Sequence, residues 1–268
     1  MSESAAGWLA AGVRVEWQRP PGERSPIRLN LTLSLGEGHN PQSPELWRAL
    51  GEIKRAVPGS VRVVVVRGDG PSFSSVPLGP LGPLGLDTLL LPAVSPSDAD
   101  LSAYQQAFDW TTDPAYVSVA AVQGYALGAG LQLAMGCDLR ILTTDAVLAL
   151  PEVTLGLVPG LGATSRLVSG LGYPKALELA VTGRRFTGSE AHQLGLAQRL
   201  VDPAQLDDEV EALVGELLAP DQDAVREIKA LLLGAERRNQ TDQRAAERAA
   251  LLRQLAHPGE AAGQLPPG

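Results

Sequence analysis

The sequence predicts an α/β protein with a helical C-terminal third, on three observations. Val61 to Val66 is almost purely β-branched, as strands buried on both faces are. A helix signal stands before it, Ser43-Pro44-Glu45 followed by Leu46, Trp47, Leu50, Ile53 and Val57 at helical spacing, so strand and helix alternate as they do in βαβ layouts. A second apolar strand, Tyr116 to Val122, passes through a glycine-rich turn into a helix-like run from Leu131 to Met135.

The elements follow in order. Val13 to Trp17 and Ile27 to Leu35, separated by the Pro/Gly-rich Pro20 to Ser25, predict a hairpin. Ser43 caps a helix with Pro44 at its first position, running to Val57, and Gly68-Asp69-Gly70-Pro71 ends the strand that follows. Residues 77 to 85 repeat Pro-Leu-Gly three times. A proline at every third residue cannot sit inside a helix, and three triplets are too few for collagen, so this stretch and the apolar Leu86 to Val94 read as an irregular loop. Asp98 to Trp110 reads as a helix and Ala146 to Leu150 as a short strand, while Glu152 to Gly162 is broken by glycine and proline. Helices are expected over Lys175 to Thr182, Gly188 to Leu194, Leu206 to Leu218, Ala224 to Leu233 and Asp242 to Leu255, the fourth capped by Asp221 and stopped by Gly234. No linker sets the last third apart.

Composition excludes several functions. Of 268 residues, Lys+Arg 22 against Asp+Glu 30 leaves −8, with lysine only at Lys54, Lys175 and Lys229; a nucleic-acid or anionic-membrane binder needs clustered positive charge. The arginines from Arg237 to Arg253 are interleaved with Glu236 and Glu247, as on a solvated or subunit-facing helix. Cys137 alone cannot form an internal disulfide, and His39, His192 and His257 lack metal-site spacing. Pro114 to Cys137 carries no charge, is long enough to cross a bilayer, and its Gly124 and Gly128 fit a small-xxx-small pattern. Its four glycines nevertheless divide it into strand and helix, so no membrane span is expected. Met1 to Ala11 lacks the basic start and apolar core of a signal peptide, which makes the cytoplasm the expected location.

Candidate chemistry concentrates between Ala120 and Arg166. A strand, the turn Gly124-Tyr125-Ala126-Leu127-Gly128-Ala129-Gly130 and a helix place unpaired N–H groups where negative charge can be held. Glycine lets a ligand approach the main chain, and an N–H there can stabilise an oxyanion; the same pattern also fits a tight turn with no ligand. The spacing misses the dinucleotide fingerprint, and no Gly-Lys-Ser/Thr follows. Glu152, in the apolar Leu150-Pro151-Glu152-Val153, would be desolvated and its pKa raised toward a range useful for proton transfer. An exposed glutamate opening a turn fits that composition too.

Taken together, Val119 to Arg140 (VAAVQGYALGAGLQLAMGCDLR) and Leu150 to Gly160 (LPEVTLGLVPG) closely resemble the crotonase, or enoyl-CoA hydratase/isomerase, superfamily. Leu179-Ala-Val-Thr-Gly-Arg, Ala191-His-Gln-Leu-Gly-Leu-Ala and Val201-Asp-Pro continue the likeness, which covers about residues 12 to 255. The resemblance implies a crotonase-like spiral of repeated ββα units over residues 1–200 holding a thioester site, and a helical C-terminal trimerisation region over 201–268. It further implies a homotrimer or hexamer, and as ligand an acyl-CoA or carrier-protein thioester with no cofactor beyond that coenzyme A. Two backbone N–H groups would hold the thioester oxygen. The second falls on Ala129, between Gly128 and Gly130, and the second catalytic glutamate on Glu152.

Two positions depart from the family pattern. The first catalytic glutamate falls on Gln132, which can orient a water but cannot take a proton as a base. The first oxyanion loop aligns with Phe73-Ser-Ser-Val-Pro-Leu78, so that between Ser75 and Leu78 the donor position is Pro77, which has no N–H. The basic residue that often follows this loop is absent, and the chain after Pro258 is short of the family's basic, aromatic end. Loss of an acid/base group costs about 10²- to 10⁴-fold and loss of an oxyanion donor about 10²- to 10³-fold. A hydratase bears both losses, about 10⁴ to 10⁷ together, whereas an isomerase needs one carboxylate, which the resemblance places at Glu152. Double-bond isomerisation is therefore the expected reaction. A non-catalytic thioester-binding or scaffolding protein, a hydratase, and a decarboxylase or other lyase are the alternatives. Tyr125 is expected to pack, and His192 and Asp138 to be surface and structural residues.

Overall fold

The computed structural model describes residues 3–35, 39–75, 96–110 and 112–256. The Pro-Leu-Gly repeat, Pro77, Leu78, His257 and the residues after Pro258 lie outside that range. A helix the sequence reading did not anticipate, α1 (Glu3–Ala10), leads into β1 (Val13–Gln18) and β2 (Arg28–Leu33), the expected antiparallel hairpin. Next comes α2 (Pro44–Ala56), whose Ser43 side chain accepts the Leu46 N–H, and then β3 (Val63–Gly68). Helix α3 (Asp98–Phe108) is closed by a Ser97–Asp100 capping box and followed by β4 (Val117–Val122).

The glycine turn differs from expectation. It contains a strand, β5 (Tyr125–Leu127), before the fully buried α4 (Ala129–Met135). The same pattern recurs with β6 (Leu139–Thr143), β7 (Val147–Ala149), a 3-10 turn over Pro151–Leu155 and α5 (Ala163–Leu171). These are two successive strand–strand–helix units. Each sends its first strand into one sheet and its second into another: the large sheet runs β1-β2-β3-β4-β6 and ends on β9 (Arg199–Val201), and the small one runs β5-β7 and ends on β8 (Phe186–Thr187). From β2 onward the large sheet is parallel.

Period-two alternation fills both faces of the large sheet. Val64, Val66, Ala120 and Val122 point into the core that also holds Leu50, Phe108, Leu131 and Leu133. Val63, Val65, Val119 and Ala121 point the other way, onto Leu206, Val210, Leu213 and Val214 of α8 (Leu206–Leu218). Helices α6 (Tyr173–Thr182) and α7 (Gly188–Gln193) lie between these layers in sequence, and α9 (Gln222–Ala235) and α10 (Gln240–Ala256) complete the described chain. Asp221 caps α9 as expected, but Gly234 does not end it. The helix continues to Ala235, with Glu236 as its cap. No helix among the described residues is long and apolar enough to cross a membrane.

Candidate active site

Four segments converge around α4. The turn before it is dictated by space: a Cβ on Gly124, which holds a positive φ of 54°, would stand 2.0 Å from the Pro71 carbonyl oxygen, and one on Gly130 would stand 2.2 Å from that of Ser74. The segment Ser72 to Ser75 therefore lies directly against the start of α4. A buried polar clasp holds it there. The fully buried Asn40, at φ 50°, donates to the carbonyls of Asp69, Ser72 and Phe73. Ser74 Oγ donates to the Asn40 carbonyl at 2.7 Å and accepts from Gln42 Nε2 at 2.9 Å.

Backbone donors at this junction are partly committed. Ser75 N–H donates to the His39 carbonyl at 2.7 Å and Gly128 N–H to that of Ala149 at 3.0 Å, so neither amide is free for a ligand. Gln132 N–H closes the first turn of α4 onto Gly128. Among the described residues the Ala129 N–H, at the first position of the helix, meets no backbone acceptor. That is the orphan-donor position every helix start creates.

Glu152 sits on the 3-10 turn opposite, with Gly128 beside it: a Cβ on that glycine would lie 3.4 Å from Glu152 Oε1. Gln132, 3% exposed, ties the two segments. Its Nε2 donates to Glu152 Oε1 at 2.8 Å, and its Oε1 accepts the Leu161 N–H at 2.8 Å. The Leu161 N–H can only donate, so the amide oxygen faces the turn and the NH₂ faces the carboxylate. Glu152 Oε2 is buried with no hydrogen-bond partner. Burial pushes the Glu152 carboxyl above the usual glutamate range, opposed by its own backbone N–H and by the Gln132 amide, both of which favour the ionised form.

The structure thus brings Gly128, Ala129, Gly130, Gln132 and Glu152 together with Ser75 close by. The unforeseen members are Ser74, whose carbonyl abuts Gly130, and Leu161, whose N–H fixes Gln132. The break Gly160-Leu161-Gly162 was the available signal for the second. Tyr125 is 39% exposed, contrary to the packing expected of it. His192 Nδ1 pairs with the Ala197 carbonyl. Asp138 is structural, accepting from the Ser118 N–H and hydroxyl and from Lys229 Nζ at 2.8 Å. No group of His, Cys, Asp and Glu among the described residues is arranged to hold a metal ion.

Comparison with known proteins places this site in a family context. The sequence profile of enoyl-CoA hydratase/isomerase matches residues 43–260. A short-chain-enoyl-CoA hydratase of Clostridioides difficile is 47% identical over 121 residues, 45% of this chain and 77% of that protein. An enoyl-CoA hydratase domain-containing protein 2 of Homo sapiens, mitochondrial, is 46% identical over 113 residues, 41% of this chain; the match spans only 39% of the human protein's length. Among solved structures, a Thermobifida fusca YX protein provisionally named an enoyl-CoA hydratase, in complex with acetoacetyl-CoA, superposes with a TM-score of 0.84 at 38% identity, covering 94% of this chain and 98% of that one.

Proposed function

Because the chain belongs to the enoyl-CoA hydratase/isomerase family, we propose that it binds an acyl-CoA thioester and moves a carbon–carbon double bond along its acyl chain, with Glu152 as the only proton shuttle. In the direction from a 3-enoyl to a 2-enoyl thioester, Glu152 Oε2 takes a proton from C2. The C–H electron pair flows toward the thioester carbonyl, whose oxygen gains negative charge opposite the Ala129 N–H. The same carboxyl then returns the proton at C4, and the electrons settle into the C2–C3 double bond. Atoms and charge balance without water or any group beyond the substrate's own coenzyme A. Relatives solved with CoA and acetoacetyl-CoA support the ligand class.

The observation that carries this reading is the Gln132 amide. An amide cannot serve as a base, and here it is held between Leu161 N–H and Glu152 Oε1. Among the described residues one carboxylate remains at the site, with one oxygen lacking a hydrogen-bond partner, and one carboxylate suffices for a proton shift between carbons. Glu152→Gln should abolish turnover on paired 2-enoyl- and 3-enoyl-CoA substrates, while Gln132→Ala should cost far less. The opposite ranking would overturn the assignment.

A second reading, thioester binding without turnover, draws on the Ser75 N–H already bonded to His39 and on proline at position 77. Silence on both substrates with retained thioester binding would favour it. In either reading the assembly is a homotrimer or hexamer, supported by the exposed Ile228 and Leu232 of α9 and Leu251, Leu252 and Leu255 of α10.

A further inference from the structure

The turn that fixes Gln132 has no side-chain cap of its own, and Gly162 enters α5 at φ 92°. Two contacts from α3 hold it. Gln105 Nε2 donates to the Gly160 carbonyl at 2.9 Å, and Arg166, on the first turn of α5, forms an ion pair with Asp109 at the end of α3. That end is itself fastened to α2, since Lys54 Nζ donates to the carbonyls of Gln106 and Asp109. A continuous path therefore runs from α2 and α3 through the turn to Leu161 N–H, Gln132 and Glu152.

Resting on the assignment of Glu152 as proton shuttle, we propose that Arg166 is a positioning residue that sets the proton affinity of Glu152 through the Leu161–Gln132 pair. Among the described residues the titratable groups around Arg166 are Asp109, Lys54, Arg140 and Cys137. Among the described residues no charged side chain bears on Glu152, which is acted on by burial, its own N–H and the Gln132 amide. Arg166 thus reaches Glu152 by geometry. Loosening the turn frees the amide to rotate, Glu152 Oε1 loses its donor, and the carboxylate becomes harder to ionise.

The test is a carbon-13 NMR titration of the Glu152 carboxyl in the intact protein, its signal identified by its loss in Glu152→Gln. Gln132→Met should raise the titration midpoint by about one to two units, the size expected for a lost hydrogen bond to a charged group. Arg166→Met should raise it by less, Arg166→Lys should restore it, and Arg166→Met should add nothing in the Gln132→Met background. Gln105→Ala, a change at an exposed side chain, should act in the same direction as Arg166→Met and serves if that variant does not fold. An unchanged midpoint in Arg166→Met and Gln105→Ala, or an equal shift in the Gln132→Met background, overturns the proposal. The titration needs no substrate: a wild type without turnover whose midpoints move as expected would remove the proton-shuttle reading and leave the positioning path standing.

Discussion

A single methyl group at Gly130 should disable the site. The added Cβ would lie 2.2 Å from the Ser74 carbonyl oxygen, where real contacts begin near 3.0 Å, so something must retreat by 3.0 − 2.2 = 0.8 Å. Ser74 is poorly placed to yield. Its N–H donates to Tyr125 at 3.0 Å, its carbonyl accepts from Leu127 at 3.1 Å, and its hydroxyl is bonded to Asn40 and Gln42. The displacement therefore falls on β5 and the start of α4, which carry the Ala129 N–H. A misplacement of about 1 Å costs on the order of 10²-fold in rate, and overpacking of this kind costs about 1–3 kcal/mol of stability. Steady-state turnover of Gly130→Ala, with urea unfolding at unchanged m-value, reads both. A rate within about threefold of wild type and a stability within about 0.5 kcal/mol would refute the claim that the Ser74 segment and α4 are in fixed register.

Three further outcomes are expected. Lys229→Met should lower stability by about 3–5 kcal/mol, because it leaves the Asp138 carboxylate and the Tyr116 carbonyl without the buried ammonium that donates to both; urea unfolding would contradict this with a loss under about 1 kcal/mol. Gly215→Ala, in the interior of α8 where a Cβ meets nothing within 4 Å, should raise stability by about 0.5–1 kcal/mol, and destabilisation would show that α8 is not the open helix described. Glu152 binds its proton more tightly folded than unfolded, so its contribution to stability is present below the ordinary value of 4.5 and is lost as pH rises through the raised one. Glu152→Gln should therefore be more stable than wild type at neutral pH, with the difference vanishing in acid, and equal stability across that range would show that burial of this carboxylate costs nothing.

The sequence made the buried strands legible because uncharged residues, β-branched throughout Val63 to Val66, run along them. Val63 to Val66 and Val119 to Val122 are buried on both sides, as their composition requires. Ser43 and Asp221 marked helix starts because capping is local chemistry. Strands β5, β6, β8 and β9 were missed because each is short, two to five residues, and is held by partners distant in sequence. Gly234 misled because glycine stops a helix only where a left-handed residue follows the last turn; here Arg237 and Arg238 both donate to the Gly234 carbonyl and the backbone turns on. At the site, the apolar run around Glu152 made that residue a candidate, and the resemblance to the crotonase superfamily added Gln132. Their mutual hydrogen bond, and the Leu161 N–H that orients it, depend on a turn 29 residues away, which Gly160 and Gly162 mark as a break without tying it to Gln132.

The most direct test of the central claim is a progress curve of the purified protein in heavy water, with 3-enoyl-CoA and 2-enoyl-CoA supplied separately and products resolved by absorbance and mass. The account predicts double-bond migration that carries the substrate's own proton from one carbon to the other with little deuterium gained, no addition of water, and loss of migration in Glu152→Gln. Accumulation of a hydrated thioester, or migration that persists in Glu152→Gln, would contradict it.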